Sequence, residues 1–270
     1  MGPLCFLILI NDALTDTSFR WKYVDDSTIG TTINNTKPCF TTMQNILDNL
    51  LTWTTNNLVS INHRKTVAMH FDLATTTPAP TPVLTLGDHT LEVVHSTKVL
   101  GVTLDDKLRW DPHVNATVKS ATFRLYILRR LKSLGLPQTE LKDIFKMFLL
   151  PRLTYASPAW TPNLTITQNR KIEKVQKRAC KIILGPSYVN YEDALSTLGL
   201  TTMAHTFEQN IQQFGRKLLD NPRHRHMLPP AAPRPQRATR THNTLVPIRA
   251  RTDRYKNSPI PTIVRLINNH

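Results

Sequence analysis

Residues 19–33 read FRWKYVDDSTIGTTI, with two adjacent carboxylates, Asp25 and Asp26, between two strand-like runs. Residues 19–24 and 27–33 are rich in β-branched and aromatic side chains, so the spacing predicts two strands meeting in a tight hairpin at Asp25-Asp26. Neighbouring carboxylates at a hairpin tip repel each other, and no cation adjoins them in sequence. A divalent ion would reconcile them, because Mg²⁺ takes one or two carboxylates from protein and completes its shell with water and substrate phosphate. Strands on both sides would fix the backbone that places such an ion. A solvated Asp-Asp turn also explains the tetrapeptide, since Asp is a common turn residue.

Working outward, residues 4–14, apolar but for Asn11-Asp12, suit a buried helix, although periodicity alone does not exclude a strand. Residues 40–58 place Met43, Leu47, Leu50, Leu51, Thr54 and Leu58 at the spacing of an amphipathic helix. A strand is expected over 66–71 and a Thr/Pro loop over 75–82. Residues 83–86 and 90–94 flank Gly87-Asp88, a hairpin signature, and 99–104 reads as one more strand. After Trp110 the period changes to that of a helix: Val114, Val118, Ala121, Leu125, Leu128 and Leu131 mark one that ends at Gly135 and Pro137. Leu141, Ile144, Phe145, Phe148 and Leu149 mark another, stopped by Pro151. Residues 166–184 form a long basic helix closed by Gly185-Pro186, 192–198 a short one with Gly199 after it, and Met203 to Leu218 a last one. Beyond Asn221 the chain turns to Pro and Arg without periodicity. The fold class is therefore α+β: hairpins plus helices over 1–112, an all-α module over 113–220, and a basic Pro/Arg-rich tail over 221–270.

The chain has 270 residues, with 34 Lys+Arg against 19 Asp+Glu, so a net charge of +15 and a pI near 10.0. Such a surplus favours phosphate-rich polymers or anionic surfaces as partners. It is uneven: residues 119–188 hold fourteen basic residues against Glu140, Asp143 and Glu173, whereas residues 1–30 hold four Asp against Arg20 and Lys22. The tail over 223–256 adds eight Arg and one Lys against Asp253 and reads as a flexible arm that neutralises nucleic acid nonspecifically. Cys5, Cys39 and Cys180 lie far apart, which excludes a disulfide scaffold or a closed zinc site of usual spacing and fits a reducing compartment. His224 and His226 have no Cys or carboxylate company and read as solvated. The longest apolar run, residues 4–10, is far short of the roughly 20 residues that span a bilayer, and no basic leader precedes it. An intracellular protein of nucleus or cytoplasm, away from membranes, is expected.

Within the long basic helix, a turn of 100° per residue puts Lys171, Lys174, Arg178 and Lys181 on one face, opposite much of the Ile172/Val175/Ala179/Ile182/Ile183 face. That stripe suits a phosphate backbone, and a merely solvated basic face would look the same. Lys65 is either a solvated lysine at a strand start or a phosphate-neutralising group. Gly101 either permits close backbone approach or marks a bulge. Trp53, Trp110 and Trp160 sit beside apolar periodic segments and are expected in the core.

Several segments in order then carry a resemblance. They are Gly2-Pro3-Leu4-Cys5-Phe6 through Asn11-Asp12; Tyr23-Val24-Asp25-Asp26; Trp53, Asn57-Leu58, Ile61-Asn62 and Lys65-Thr66 with Met69 and Phe71; Lys98-Val99-Leu100-Gly101-Val102 with Leu104-Asp105, Leu108, Trp110 and His113; Tyr155-Ala156, Trp160 and Ile172-Glu173 through Arg178; and Arg254 through Pro261. Over practically its whole length the chain resembles the reverse transcriptases of non-long-terminal-repeat retrotransposons, nearest the jockey-like (LINE-type) group. The resemblance implies a partial polymerase palm over 1–112 and a thumb over 113–220. It implies that Asp25 ligates Mg²⁺ with Asp26 beside it, that Tyr23 flanks nucleotide and template-primer, and that Lys65 lies near the leaving pyrophosphate as a general acid. Leu100-Gly101 would belong to the primer grip, and the stripe Lys171, Lys174, Arg178 and Lys181 would touch nucleic acid. The implied partners are an RNA template, a DNA primer and deoxynucleoside triphosphates.

The family's fingers, its earlier palm Asp and its Gln-Gly turn would precede the segment matching Gly2-Pro3. The expectation is therefore a C-terminal piece of an RNA-directed DNA polymerase, inactive alone, with apolar surface exposed where a strand is missing. The alternative is a decayed or repurposed basic nucleic-acid-binding protein without catalysis.

Overall fold

The computed structural model describes residues 2–34, 38–73, 80–233 and 244–269. They divide into two compact units, one of residues 1–99 and 104–108, the other of residues 100–103 and 109–270.

The first unit begins with helix α1 (Gly2–Ile10) and a hairpin of β1 (Arg20–Tyr23) and β2 (Asp26–Ile29). Leu4 and Ile8 of α1 are 67% and 68% exposed, so the helix forms but is not the buried one expected. It is apolar all round, and no single face of it can be covered selectively. Helix α2 (Thr41–Asn56) follows, then the short strand β3 (Val67–Ala68), the hairpin β4 (Thr85–Leu86) and β5 (His89–Thr90), and β6 (Glu92–Val93) parallel to β3. The expected loop over 75–82 falls mostly on residues 74–79, outside the described residues. Gly87-Asp88 makes the two-residue turn its sequence predicts, with Gly87 at φ 62°. Leu47 of α2 packs on Leu84, Leu86 and Leu91, joined by Met43, Leu51 and Ile61. The Gln44 amide both donates to the Thr85 carbonyl (3.0 Å) and accepts from its N–H (2.9 Å), satisfying the open edge of β4. Strands β7 (Ser96–Val99) and β8 (Val102–Asp105) form a further hairpin.

The second unit is helical. Its long helix α3 (Asp111–Ser133) ends at Gly135 (φ 90°) as the sequence predicts. Helix α4 (Gln138–Ile144) runs through a π-helical turn, Phe145–Leu149, into α5 (Leu150–Thr154), which contains Pro151. Pro151 therefore does not stop the helix: the wider turn just before it takes up the missing N–H and the ring. The break comes at Ala156 (φ 48°), followed by α6 (Ser157–Trp160). Helix α7 (Ile166–Leu184) has the bounds expected from sequence, opened by a reciprocal capping box of Thr165 and Gln168. Helices α8 (Tyr191–Leu198), closed by left-handed Gly199, and α9 (Met203–Asp220) follow. Trp160, Phe145, Leu128, Leu141, Leu153, Ile172 and Ile183 are fully buried here, each contributing about 1.5–3 kcal/mol by leaving water.

The tail departs most from expectation. Residues 234–243 lie outside the described ones, but α10 (Asp253–Lys256) and α11 (Pro259–Asn268) form beyond them. Ile263, Val264, Leu266 and Ile267 of α11 are buried with Ile211, Leu218, Leu228 and Leu245. Asn268 exchanges two hydrogen bonds with the Leu245 backbone (2.9 and 3.0 Å). A Cβ on Gly215 of α9 would lie 2.6 Å from Ile263 Cγ2, so the glycine is what lets α11 approach. The C-terminal end of the tail is thus core, whereas among the described residues of 223–256 only Leu228 and Leu245 are buried. Ile263→Ala should cost about 2–5 kcal/mol and Gly215→Val about 1–3 kcal/mol in urea unfolding of the whole chain. Midpoints unchanged from wild type would show that α11 does not dock.

Candidate functional site

In the first unit the pairing Tyr23↔Asp26 leaves Val24 and Asp25 as a two-residue loop. The turn thus sits one residue earlier than expected, and Asp26 opens β2. Val24 adopts φ 56°, where glycine is preferred in hairpin loops with a positive first φ. A β-branched residue there carries about 1–3 kcal/mol of strain.

Strand β1 alternates in an unusual sense. Trp21 and Tyr23 are exposed, while Arg20 and Lys22 turn inward and are half-buried. Lys22 Nζ donates to the carbonyls of Ile10 (2.8 Å), the last residue of α1, and of Asn11 (2.8 Å) and Ala13 (3.0 Å) in the turns after it. Arg20 Nη1 donates to Thr15 O (2.6 Å) and Thr17 O (2.7 Å) further along the same connection. Burial pushes the Lys22 pKa below the usual lysine range, with Arg20 adding to the effect and Asp12 opposing it. These two cations fix the hairpin on α1, and nothing in the sequence singles them out.

Tyr23, Asp25 and Asp26 are all exposed at the hairpin end. Lys65 is exposed in a separate turn, its N–H donating to Asn62 O (3.1 Å) and Oδ1 (3.2 Å). Among the described residues no hydrogen bond or ion pair joins Lys65 to either carboxylate, so the structure does not assemble these three as one cluster. Nor do the described residues contain a group of three or more His, Cys, Asp or Glu placed to hold a metal. Two adjacent carboxylates meet the protein share of a single Mg²⁺ shell, but do not fit a pair of bridged ions.

Leu100 and Gly101 lie in the second unit. Where one strand was expected over 99–104, they form a two-residue turn between β7 and β8, with φ 46° and 87°. Both signs are positive, as in a type I′ turn, and the period-two pattern runs through it unbroken. Tyr155 OH donates to the Leu100 carbonyl (2.8 Å), and a Cβ on Gly101 would meet the Tyr155 ring at 3.1 Å. The glycine thus permits close approach by a tyrosine of the chain itself. His113 Nδ1 accepts from the Thr103 N–H (3.2 Å), and its ring is stacked edge-on between Trp110 and Trp160.

Burial, helped by the charge of Arg152, pushes the His113 pKa below the usual histidine value of 6.5. The unfolded chain therefore binds that proton more readily. His113 contributes fully above pH about 6.5, and its contribution is lost as pH falls through that value toward the lower folded pKa. The melting-temperature advantage of wild type over His113→Gln should shrink between pH about 7.5 and 5.5. A gap that stays constant with pH would contradict this.

Helix α7 carries the basic face. Arg170, Lys174, Lys177, Arg178 and Lys181 are exposed, whereas Lys171 is half-buried and donates to Asn115 Oδ1 (3.0 Å). Opposite them Ile172, Val175, Gln176, Ala179, Cys180 and Ile183 are buried. Burial pushes the Cys180 thiol up to about 11, which makes it inert. Lys177 lies over the Tyr191 ring (5.0 Å) and Lys181 over Tyr188 (5.2 Å), so two of the cations are held against aromatic faces. Between α3 and α7 runs a groove of about 420 Å³ lined by Arg129, Lys132, Arg178, Lys181 and Ile182. Arg129 and Lys132 are the cations that sequence spacing within α7 alone did not reveal. His224 and His226 are exposed, and Trp110 and Trp160 are in the core as expected, whereas Trp53 on α2 is only half-buried.

The chain is 25% identical over 240 residues to a protein described as a probable RNA-directed DNA polymerase from transposon BS of Drosophila melanogaster, across 84% of this chain and 26% of that protein. This chain is similar to a transposon polymerase. It spans about a quarter of the length of that relative. No protein-family model and no solved structure matches it. No described helix is long and apolar enough to cross a membrane.

Proposed function

We propose that this chain is a C-terminal portion of the RNA-directed DNA polymerase of a jockey-like (LINE-type) retrotransposon, comprising the second half of a palm and a thumb. The observation that carries the reading is the similarity over 84% of the chain to a probable polymerase of that activity. The exposed Asp25–Asp26 hairpin and the basic face of α7 are consistent with it. The second unit grips an RNA template paired with a DNA primer, through Lys174, Arg178 and Lys181 on α7 with Arg129 beside them; Lys132 is engaged by the Ile182 and Ile183 carbonyls and only borders that face. Lys171, already bonded to Asn115, sits at the margin of that face. Asp25 and Asp26 hold one Mg²⁺, which would supply charge neutralisation for nucleotidyl transfer. The two-ion centre and the binding of deoxynucleoside triphosphates need an upstream carboxylate and basic fingers, so the chain alone binds without extending. Tyr23, exposed opposite Asp26, faces the nucleotide and the template-primer, and Lys65 takes part only once the triphosphate site is complete.

Fluorescence anisotropy on an RNA–DNA hybrid tests this. Neutralising four phosphates predicts a roughly hundredfold loss of affinity between 50 and 200 mM salt. Lys174→Gln with Arg178→Gln should lower the log–log slope by about two, and Asp25→Asn should leave binding unchanged. Absent or salt-independent binding would refute the grip. Magnesium-dependent extension by the isolated chain, abolished by Asp25→Asn, would show that the upstream parts are dispensable.

A further inference from the structure

On the face of α3 turned away from the core, four exposed side chains form a stripe that the grip of α7 does not use: Lys119, Phe123, Tyr126 and Arg130. At 100° per residue they fall within a sector of about 60° and extend over about 17 Å of helix. Val114, Thr117, Ala121, Leu125 and Leu128, on the opposite face, are buried. Phe123 is 68% exposed and Tyr126 62%, an arrangement that stability alone does not call for. Two aromatic rings three residues apart have Cβ atoms about 5–6 Å from each other, near enough for two successive unpaired bases to lie on successive rings. A cation at each end of the stripe stands where the flanking phosphates would run. The acidic residue of α3 is Asp111, at its N-terminus, where Gln168 Nε2 donates to it (2.8 Å).

We propose that this stripe is a stacking platform for single-stranded nucleic acid, separate from the duplex grip on α7. Aromatic rings interleaved with basic residues are the chemistry by which unpaired bases and their phosphates are held without sequence preference. A protein partner for the rings would have to meet cations at both ends of the stripe on a chain of net charge +15, and a second copy of this chain would meet like charge. The inference rests on the nucleic-acid-binding reading above and extends it to an unpaired strand, such as template ahead of the hybrid.

The test uses the full chain and a short single-stranded RNA carrying 2-aminopurine, whose fluorescence is quenched when the base stacks on a ring. Wild type should quench it. Phe123→Ala with Tyr126→Ala should abolish the quench and weaken single-strand binding by about tenfold or more, with hybrid-duplex affinity held within about twofold. Phe123→Tyr with Tyr126→Phe should behave as wild type. Single-strand affinity and quench preserved in the double-alanine protein would overturn the proposal. Equal loss on single strand and duplex would do so too, as would a dimer that the alanines dissociate while RNA binding stays the same. Wild type binding the hybrid without quenching the single strand removes only this platform. Wild type binding neither removes the grip as well.

Discussion

The parallel packing of α3 against α7 is the constraint on which the rest of the helical unit depends. The two helices run in the same direction because they are tied at matching ends. At the start, Gln168 of α7 donates to the Arg109 carbonyl (2.8 Å) and to Asp111 Oδ1 (2.8 Å). At the finish, Lys132 of α3 donates to the carbonyls of Ile182 (2.5 Å) and Ile183 (3.1 Å). Parallel neighbours align their macrodipoles unfavourably. An acidic side chain near the two N-termini and a lysine over the C-terminal carbonyls offset that cost. Gly185 belongs to the same device: its φ is 58°, and a Cβ there would lie 2.3 Å from Lys132 Nζ.

Once that pair is fixed, the outward faces follow. The apolar sector of α7 must turn to α3, so its basic sector must face solvent. On α3 the same logic turns Lys119, Phe123, Tyr126 and Arg130 outward. Helix α9 is set by a polar cluster of buried Gln176 and half-buried Glu173 on α7 with Tyr191 of α8. Glu173 accepts from the Met203 N–H (3.2 and 3.1 Å) and from Tyr191 OH, while Gln176 donates to Thr201 O (2.7 Å) and to Tyr191 OH (3.1 Å). Burial and the neighbouring Glu173 carboxylate raise the Tyr191 pKa, keeping it a donor at any physiological pH. Glu173 thus neutralises an α9 N-terminus already capped by Thr202, and α9 in turn receives α11 at Gly215.

What could be read from the sequence was what local chemistry decides. The bounds of α7 follow from Thr165, Gln168 and Gly185, and the hairpin at Gly87-Asp88 from a dipeptide suited to a left-handed turn. What could not be read was decided by tertiary contact. Leu100 and Val24 occupy positive φ without being glycine, so the hairpin at Asp25 was legible only to within one residue, and Gly101 alone did not separate a turn from a bulge within one strand. Pro151 reads as a stop, yet a π turn beside it keeps the helix going, because Phe145, Leu149 and Leu153 are all worth burying. Helix α11 was hidden by the Pro and Arg residues before it, although Ile260, Ile263, Val264 and Ile267 have helical spacing.

The two candidate turns share a feature that bears on how function is built here. Val24 precedes Asp25, and Leu100 precedes Gly101; both hold left-handed backbone that their side chains disfavour. Strain of this kind persists only where surroundings over-determine it. At Leu100 those surroundings are visible: Tyr155 holds its carbonyl, and His113 holds the Thr103 N–H just beyond. At Val24 they are the Arg20 and Lys22 contacts that hold β1 to the end of α1, with the register Tyr23↔Asp26 leaving the loop only two residues. A longer or glycine-containing loop would relieve Val24, but would also let Asp25 and Asp26 wander. A strained two-residue loop on a stiff ribbon instead keeps two like charges close together at a fixed place.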